Sequence, residues 1–280
     1  MADKTYPIWY GLLKKIIDMG DGSYADRVVA QPPVDNPSFE ERIALGMVPG
    51  HRRVSLYGNN PDVDTGTEPE DVWSGGGLYP WLTAAASLEI VSTSAADAAA
   101  GTGARTVVIQ GLDVNYAEVT QVVTLNGLTA VPIPTQLFRI NGASVVTVGT
   151  GQTNAGTLTI RNAGAGATRG VIPIGFGLLR QAVYTVPAGY QLVISSVLGV
   201  INRVDTADRW ATVASWIRTS TGVVLMPAEI GISTQPYRDK YAIPAVIPEK
   251  SDTAIRVQQV SGANTDVTAN IMGYLRPIPV

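Results

Sequence analysis

The sequence has no cysteine and a single histidine among its 280 residues. The first absence excludes a disulfide scaffold, a thiolate zinc site, an iron–sulfur cluster and a cysteine nucleophile. The second removes the commonest metal ligand and the side chain best suited to acid–base work near neutral pH. Charge is scarce too. Only 15% of residues are Asp, Glu, Lys or Arg, against roughly a quarter in an ordinary soluble domain. A formal net charge of -3 gives none of the basic excess that nucleic-acid binding needs. No apolar run approaches the roughly 20 residues of a membrane helix. The start, Met-Ala-Asp-Lys-Thr-Tyr-Pro-Ile-Trp-Tyr, lacks the basic-then-apolar order of a secretory signal. The expectation is a soluble chain with no nucleic-acid or membrane partner, no cofactor and no metal.

What is present is apolar and small. Hydrophobic residues make up 45% of the chain, beside 29 Gly and 18 Pro, so there is enough apolar surface to build a core. From residue 83 onward Ser, Thr, Asn, Gln and Gly stand where charged residues usually would. The charge itself divides the chain. Residues 1–75 carry seven basic and twelve acidic residues, a net of -5, and residues 76–280 carry thirteen and eleven, a net of +2. Eleven of those thirteen cations are Arg, the one whose planar, weakly hydrated head tolerates interfaces.

Residues 1–75 read as an arm. Ile8, Trp9, Leu12, Leu13, Ile16 and Ile17 recur at helical spacing, and the pattern predicts a short amphipathic helix ending at Asp21-Gly22. So short a helix needs a surface to dock on. Gln31 to Ser74 is rich in Pro, Gly and Asp. There Phe39 to Leu45 is the one further helix expected, with Ser38 as its cap before Glu40 and Glu41. The rest reads as an extended segment laid along a partner or along its own domain.

Beyond Trp81 the period changes to two. Ser87–Thr93, Thr106–Gln110 and Glu118–Leu125 alternate, and Leu125-Asn126-Gly127-Leu128 carries the signature of a tight hairpin. Strand signals recur about every ten residues, giving fourteen or more strands, the pattern of β-sandwiches or jelly rolls. The Gly-rich stretch 170–177 suggests a boundary between two units, 76–175 and 176–280. One enlarged sandwich is the alternative.

No catalytic set emerges. Asp62, Asp64 and Glu68 alternate as in a calcium loop, but Trp73 stands where the EF-hand pattern needs its last acid, so a solvated or Arg-pairing stretch is the better reading. Gly164 to Gly170 does not meet the dinucleotide spacing. His51 stands in irregular chain beside Arg52 and Arg53, a poor place for a triad base. Glu89, Asp97, Asp113, Glu118 and Glu229 are the acids near strands, and each is expected to face solvent. The stretch Trp73-Ser-Gly-Gly-Gly-Leu-Tyr-Pro-Trp81 allows two readings. With exposed rings it would be a sugar-stacking platform; with buried rings it is a junction fixing the arm to the first sandwich.

The stretch from Asn60 to Trp81, with Thr102–Asp113, Val123–Gly127, Tyr184–Tyr190 and Ile247–Thr253, resembles phrases found in virion structural proteins of tailed bacteriophages. The similarity spans roughly residues 52–280. It implies a non-enzymatic virion part, tail-fibre or head-decoration in type, and carries over no catalytic residue. The expectation is a short-tailed phage's tail- or neck-attached fibre protein, forming a homo-oligomer, a trimer by preference. Its arm would reach the head–tail connector, or capsid subunits in a decoration protein. A receptor protein that binds or cleaves a host-surface glycan is the reading from a different class. The residues expected to serve assembly and anchoring are Ile8, Trp9, Leu12, Leu13, Ile16, Trp73, Tyr79 and Trp81.

Overall fold

The computed structural model describes the backbone of strands at 4–8, 12–18 and 24–30, and residues 37–202 and 209–279 in full. The chain divides into two compact units, Met1–Val48 and Pro49–Val280.

In the first unit, β1 (Lys4–Ile8), β2 (Leu12–Asp18) and β3 (Tyr24–Ala30) form an antiparallel sheet in that order. This corrects the amphipathic helix expected from Ile8 to Ile17. Ile8 pairs with Leu12, Pro7 with Leu13 and Lys4 with Ile16 in one register, while Ile16 and Ile17 face Asp26 and Ala25 of β3 in the other. A short run of apolar doublets fits either period, and here strands on both sides of β2 satisfy its backbone. The expected second helix is present as α1 (Phe39–Ala44). Ser38 caps it: its hydroxyl accepts from the Glu41 N–H at 3.2 Å, and the Glu41 carboxylate accepts from the Ser38 N–H at 2.7 Å.

The second unit is all β. Its first strands are β4 (Arg52–Val63) and β5 (Glu70–Asp71). Next come β6 (Leu88–Ser92), β7 (Ala104–Leu112), β8 (Glu118–Thr124), β9 (Val131–Pro132), β10 (Arg139–Val148), β11 (Leu158–Asn162) and β12 (Thr168–Ile172). The last are β13 (Val183–Thr185), β14 (Tyr190–Asn202), β15 (Trp210–Arg218), β16 (Val224–Ser233), β17 (Tyr237–Ile247), β18 (Asp252–Val260) and β19 (Thr265–Pro277).

These strands build two sandwiches. In the first, β10-β7-β8 faces β12-β11-β6-β9, and Leu88, Ile90, Ile109, Leu125, Leu137, Leu158, Ile160 and Ile172 fill the space between. In the second, the sheet of β13, β18, β15 and β16, with β5 also on β18, faces β17-β14-β19-β4. Its core contains Val54, Leu56, Leu192, Ile201, Ile232, Ile247, Val257 and Ile271. The period-2 pattern is direct: in β6 Leu88, Ile90 and Ser92 are buried while Glu89 and Val91 are less so.

Of two connections, one takes a course the sequence allowed and one departs from it. The extended segment after His51 lies on its own domain, with β4 paired to β19 from Arg52–Leu275 through Val63–Thr265. The Asn126-Gly127 turn is tight, with Gly127 at φ 59° and the Thr129 N–H bonded to the Asn126 carbonyl at 3.1 Å. It does not close a paired hairpin, because β8 joins β7 in one sheet and β9 joins β6 in the other. The turn carries the chain across the sandwich, which local periodicity does not report.

Candidate functional site

Three places in the second unit carry features that a closed sandwich does not need: a charged aromatic junction, an open apolar edge, and a polar groove.

The junction lies where the two sandwiches meet. Trp73 and Tyr79 cross edge-on at 5.1 Å, Tyr79 and Trp81 at 4.8 Å, and Trp81 stacks on Trp216 of β15 at 5.9 Å. Trp73, Tyr79 and Trp216 are buried with Val183 and Ala254, and Trp81 is half-buried against them. Glu70 and Asp71 hold the glycine turn: the Gly77 N–H donates to the Glu70 carboxylate at 2.8 Å and the Tyr79 N–H to Asp71 at 2.8 Å. Trp73 Nε1 donates to the Gly77 carbonyl at 3.0 Å. Burial pushes the Tyr79 phenol well above its usual range, so it stays a neutral donor to the Arg169 carbonyl at 2.9 Å. Such rings cannot stack on a sugar, and the platform reading gives way to the junction. It joins sandwich to sandwich, because the Arg169 carbonyl that Tyr79 bonds is in β12 of the first, while Val183 in β13 and Ala254 in β18 belong to the second. At Gly58 the backbone of β4 comes so near the Val72 carbonyl and the Ala182 N–H that any side chain there would strike backbone.

The charged groups here are held by ion pairs or by hydrogen bonds. Asp252 accepts from Arg139 Nε at 2.8 Å, from the Thr185 hydroxyl at 2.6 Å and from Arg218 Nη2 at 2.5 Å. Arg256 binds Asp71 through two bonds, of 2.7 and 3.2 Å. Burial pushes the Asp71 carboxyl up, and Arg256 opposes the shift. The guanidinium of Arg139 lies 5.3 Å from the Trp81 ring centre, and that of Arg256 lies 4.6 Å from that of Trp216. The cluster is a fastening between sandwiches, with no free nucleophile or base.

Trp73, Tyr79 and Trp81 therefore come together, and the first two are buried within this chain. Ile8 lies on β1 and Leu12, Leu13 and Ile16 on β2, in the other compact unit. Trp9 lies outside the described residues. The acids of the calcium-like stretch bind backbone: Asp64 accepts from the Asn264 N–H at 2.7 Å and Glu68 from the Val260 N–H at 3.2 Å. The ring of His51 lies 6.0 Å from that of Tyr274, and its Nδ1 is 3.0 Å from the Pro49 carbonyl.

Two acids expected to face solvent do not. Asp97 is fully buried. Glu89 binds Arg161 Nε at 2.7 Å and the N–H groups of Gly164 and Ala165, each at 3.1 Å. The Ala165 N–H, then Arg161, hold the Glu89 carboxyl below the usual carboxylate range. Its stabilising effect is therefore complete above the ordinary pKa, about 4.3, and is lost as pH falls through the lowered value. Urea midpoints of the wild type and Glu89→Gln should differ at neutral pH and converge on acidification. A gap that does not change with pH would remove the charge from the explanation.

The open edge lies on the side of the second sandwich away from the junction. β16 ends one sheet and β17 the other. Val223, Val224, Leu225 and Met226 are each about half exposed, and Ile243 is 89% exposed. Between the two sheets a cavity of about 100 Å³ is lined by Ile230 and Ile232 of β16 and Tyr237 and Tyr241 of β17. Edge strands of soluble proteins are usually blunted by charge or proline. Here Pro227 and Pro244 interrupt the ribbon but leave its apolar side chains uncovered.

The groove runs between β4 and the first sandwich. Its two lobes measure about 360 and 480 Å³ and share Arg53, Ser55, Leu56, Gln110 and Asn141 as walls. At one end Arg52 binds Glu118 of β8 at 2.6 Å.

No family model matches the chain, and no curated protein matches it. Among solved structures, a mutant VP2 protein of infectious bursal disease virus, in derived T=1 particles, is 12% identical over 86% of this chain and 84% of that one, with a TM-score of 0.12. The structure of the Gt strain of infectious bursal disease virus is 12% identical over 87% and 88%, with a TM-score of 0.13. Likeness at such scores carries no argument about fold or role.

Proposed function

We propose that this chain is a non-enzymatic structural subunit of a tailed-phage virion, a tail- or neck-attached fibre part that assembles with copies of itself. The observation that carries the reading is the set of uncovered apolar side chains on the edge strands β16 and β17. Large apolar side chains left exposed on edge strands mark a surface that another protein covers. The occupant is a second copy. β16 carries Glu229 and β17 carries Arg238, Asp239 and Lys240, a net of one positive charge, so laying β16 of one copy against β17 of the next brings opposite net signs together. That contact is heterologous, and the assembly proposed is the closed ring rather than the open filament such contacts can form, a trimer being its simplest form. The phrases shared with tailed-phage virion proteins support the setting, and residues 1–48, a compact unit of their own, are the part proposed to dock on the head–tail connector.

Light scattering on the purified chain tests the assembly. The wild type should measure as a trimer, and Val224→Asp with Ile243→Asp should measure as a monomer with an unchanged circular dichroism spectrum, both sites being exposed. A monomeric wild type would sink the reading. Copy number separates the two virion positions: about a dozen per particle fits a tail or neck appendage, and hundreds fit the capsid decoration reading. Deleting residues 1–48 should abolish incorporation into virions while leaving the trimer intact.

A further inference from the structure

In the groove between the sandwiches Asn141 and the Arg52–Glu118 pair are satisfied, but other polar side chains have no partner among the described residues. In the junction Asp71, Asp252, Arg139, Arg218 and Arg256 are all paired. In the groove the Arg53 guanidinium makes no hydrogen bond or ion pair among the described residues, nor do the side chains of Ser55 and Gln110. Deeper in, Gln181 is 4% exposed. Its amide nitrogen donates to the Ile140 carbonyl at 3.0 Å, but its Oε1 is buried with no partner. A buried acceptor left unmade is costly, and a shift of the Gln181 side chain toward the groove would let a ligand donor recover that loss.

We propose that this groove binds a segment of acidic polysaccharide. The donors and acceptors fit ring hydroxyls, which both give and take hydrogen bonds. Gln110 and Ser55 engage hydroxyls at the surface of the groove, and Gln181 Oε1 accepts one once its side chain turns toward the groove. Arg53, in both lobes, presents its planar fork to a uronate carboxylate. Leu178 and the face of Tyr57 not covered by the Arg180 guanidinium, both exposed at the far lobe, offer apolar surface to the C–H faces of the sugar rings. Each lobe falls within the usual size of small-molecule pockets, about 300–1,000 Å³. An extended peptide would require side-chain pockets at alternate positions along one sheet edge. This groove presents polar groups from both walls instead. The proposal does not rest on assembly through β16 and β17, since β4, β7 and β10 belong to one chain.

The test is calorimetric titration of the full chain with tetragalacturonate and tetraglucuronate, with cellotetraose as the neutral control and an acidic pentapeptide as the peptide control. At least one oligouronate should bind, cellotetraose about tenfold more weakly or not at all, and the peptide not at all. Arg53→Ala should weaken oligouronate binding about tenfold, the loss of one charge-assisted contact, and Gln110→Ala should weaken it less. Both sites are exposed, so the melting temperature should not move. The monomeric Val224→Asp, Ile243→Asp variant should bind as the wild type does. Failure of both oligouronates at millimolar concentration, binding indifferent to Arg53→Ala, or equal binding of the peptide would each overturn the proposal.

Discussion

Asp252→Ala should cost about 3–5 kcal/mol of stability, the range for removing one member of a buried ion pair. The reason lies in what remains. Asp252 and Arg139 are 4% and 5% exposed, and Arg139 belongs to β10 of the first sandwich while Asp252 opens β18 of the second. The sheet register places Asp252 opposite both Thr185 and Arg218, so one carboxylate gathers three strands of its own sheet and one from the neighbouring sandwich. Without it the Arg139 guanidinium keeps only the Leu82 and Phe138 carbonyls, each at 2.8 Å, and stays buried as an uncompensated cation. Arg218→Ala is the contrast. Its side chain is about a third exposed, water screens the lost attraction, and the cost should be about 1 kcal/mol or less. Equilibrium denaturation of the two variants measures the difference. Equal losses would mean that burial of Arg139 is not what makes Asp252 matter.

Asp97→Ala should be comparably severe, about 3–5 kcal/mol, because it strips the partner from several buried donors at once. One carboxylate oxygen accepts from the Ala104 and Ala155 N–H groups at 2.7 and 2.8 Å. The other accepts from the Gly156 N–H at 2.8 Å and the Ser92 hydroxyl at 2.6 Å. The side chain thus pins the loop before β7 to the loop before β11, inside the first sandwich. Asp97→Asn sharpens the test. It keeps the volume, yet turns a donor toward donors, and should lose at least half as much as the alanine variant. If the asparagine variant melted with the wild type, shape rather than hydrogen bonding would explain the site. The second sandwich should keep its own core in both variants, since none of these partners lies in it.

Neither acid is conspicuous as a string of letters. Asp97 stands in Ala-Ala-Asp-Ala-Ala-Ala-Gly-Thr-Gly, a run that predicts a small-residue turn and an exposed carboxylate. The small residues instead let two loops close over it. Asp252 stands in an ordinary turn phrase, and its partners come from positions 34, 67 and 113 residues away. The groove has the same character. Arg53, Gln110 and Gln181 belong to three separate stretches and meet only because β4 joins the second sandwich and leaves an edge beside the first.

What was legible is local. The alternation of Leu88, Ile90 and Ser92 predicts β6, and Ser38 with Glu41 predicts the start of α1, because each pattern is read by neighbours a few residues apart. The misread helix from Ile8 to Ile17 marks the limit of that logic: a run that short satisfies two periods, and the choice passed to the backbone partners on either side. The Asn-Gly turn shows the same limit, since the dipeptide sets the φ of the turn but not the sheet in which the next strand finds its hydrogen bonds.

The sequence by itself determined the β class, the turns, the capped helix and the absence of thiols, because these follow from composition and short-range geometry. Only the tertiary structure decided that the aromatic stretch is a buried junction, that β4 lies on its own domain, and that the ribbon of β16 and β17 is left uncovered. Those depend on which distant strands pair. Pairing is set by burial summed over a whole sheet, a quantity that no single segment contains.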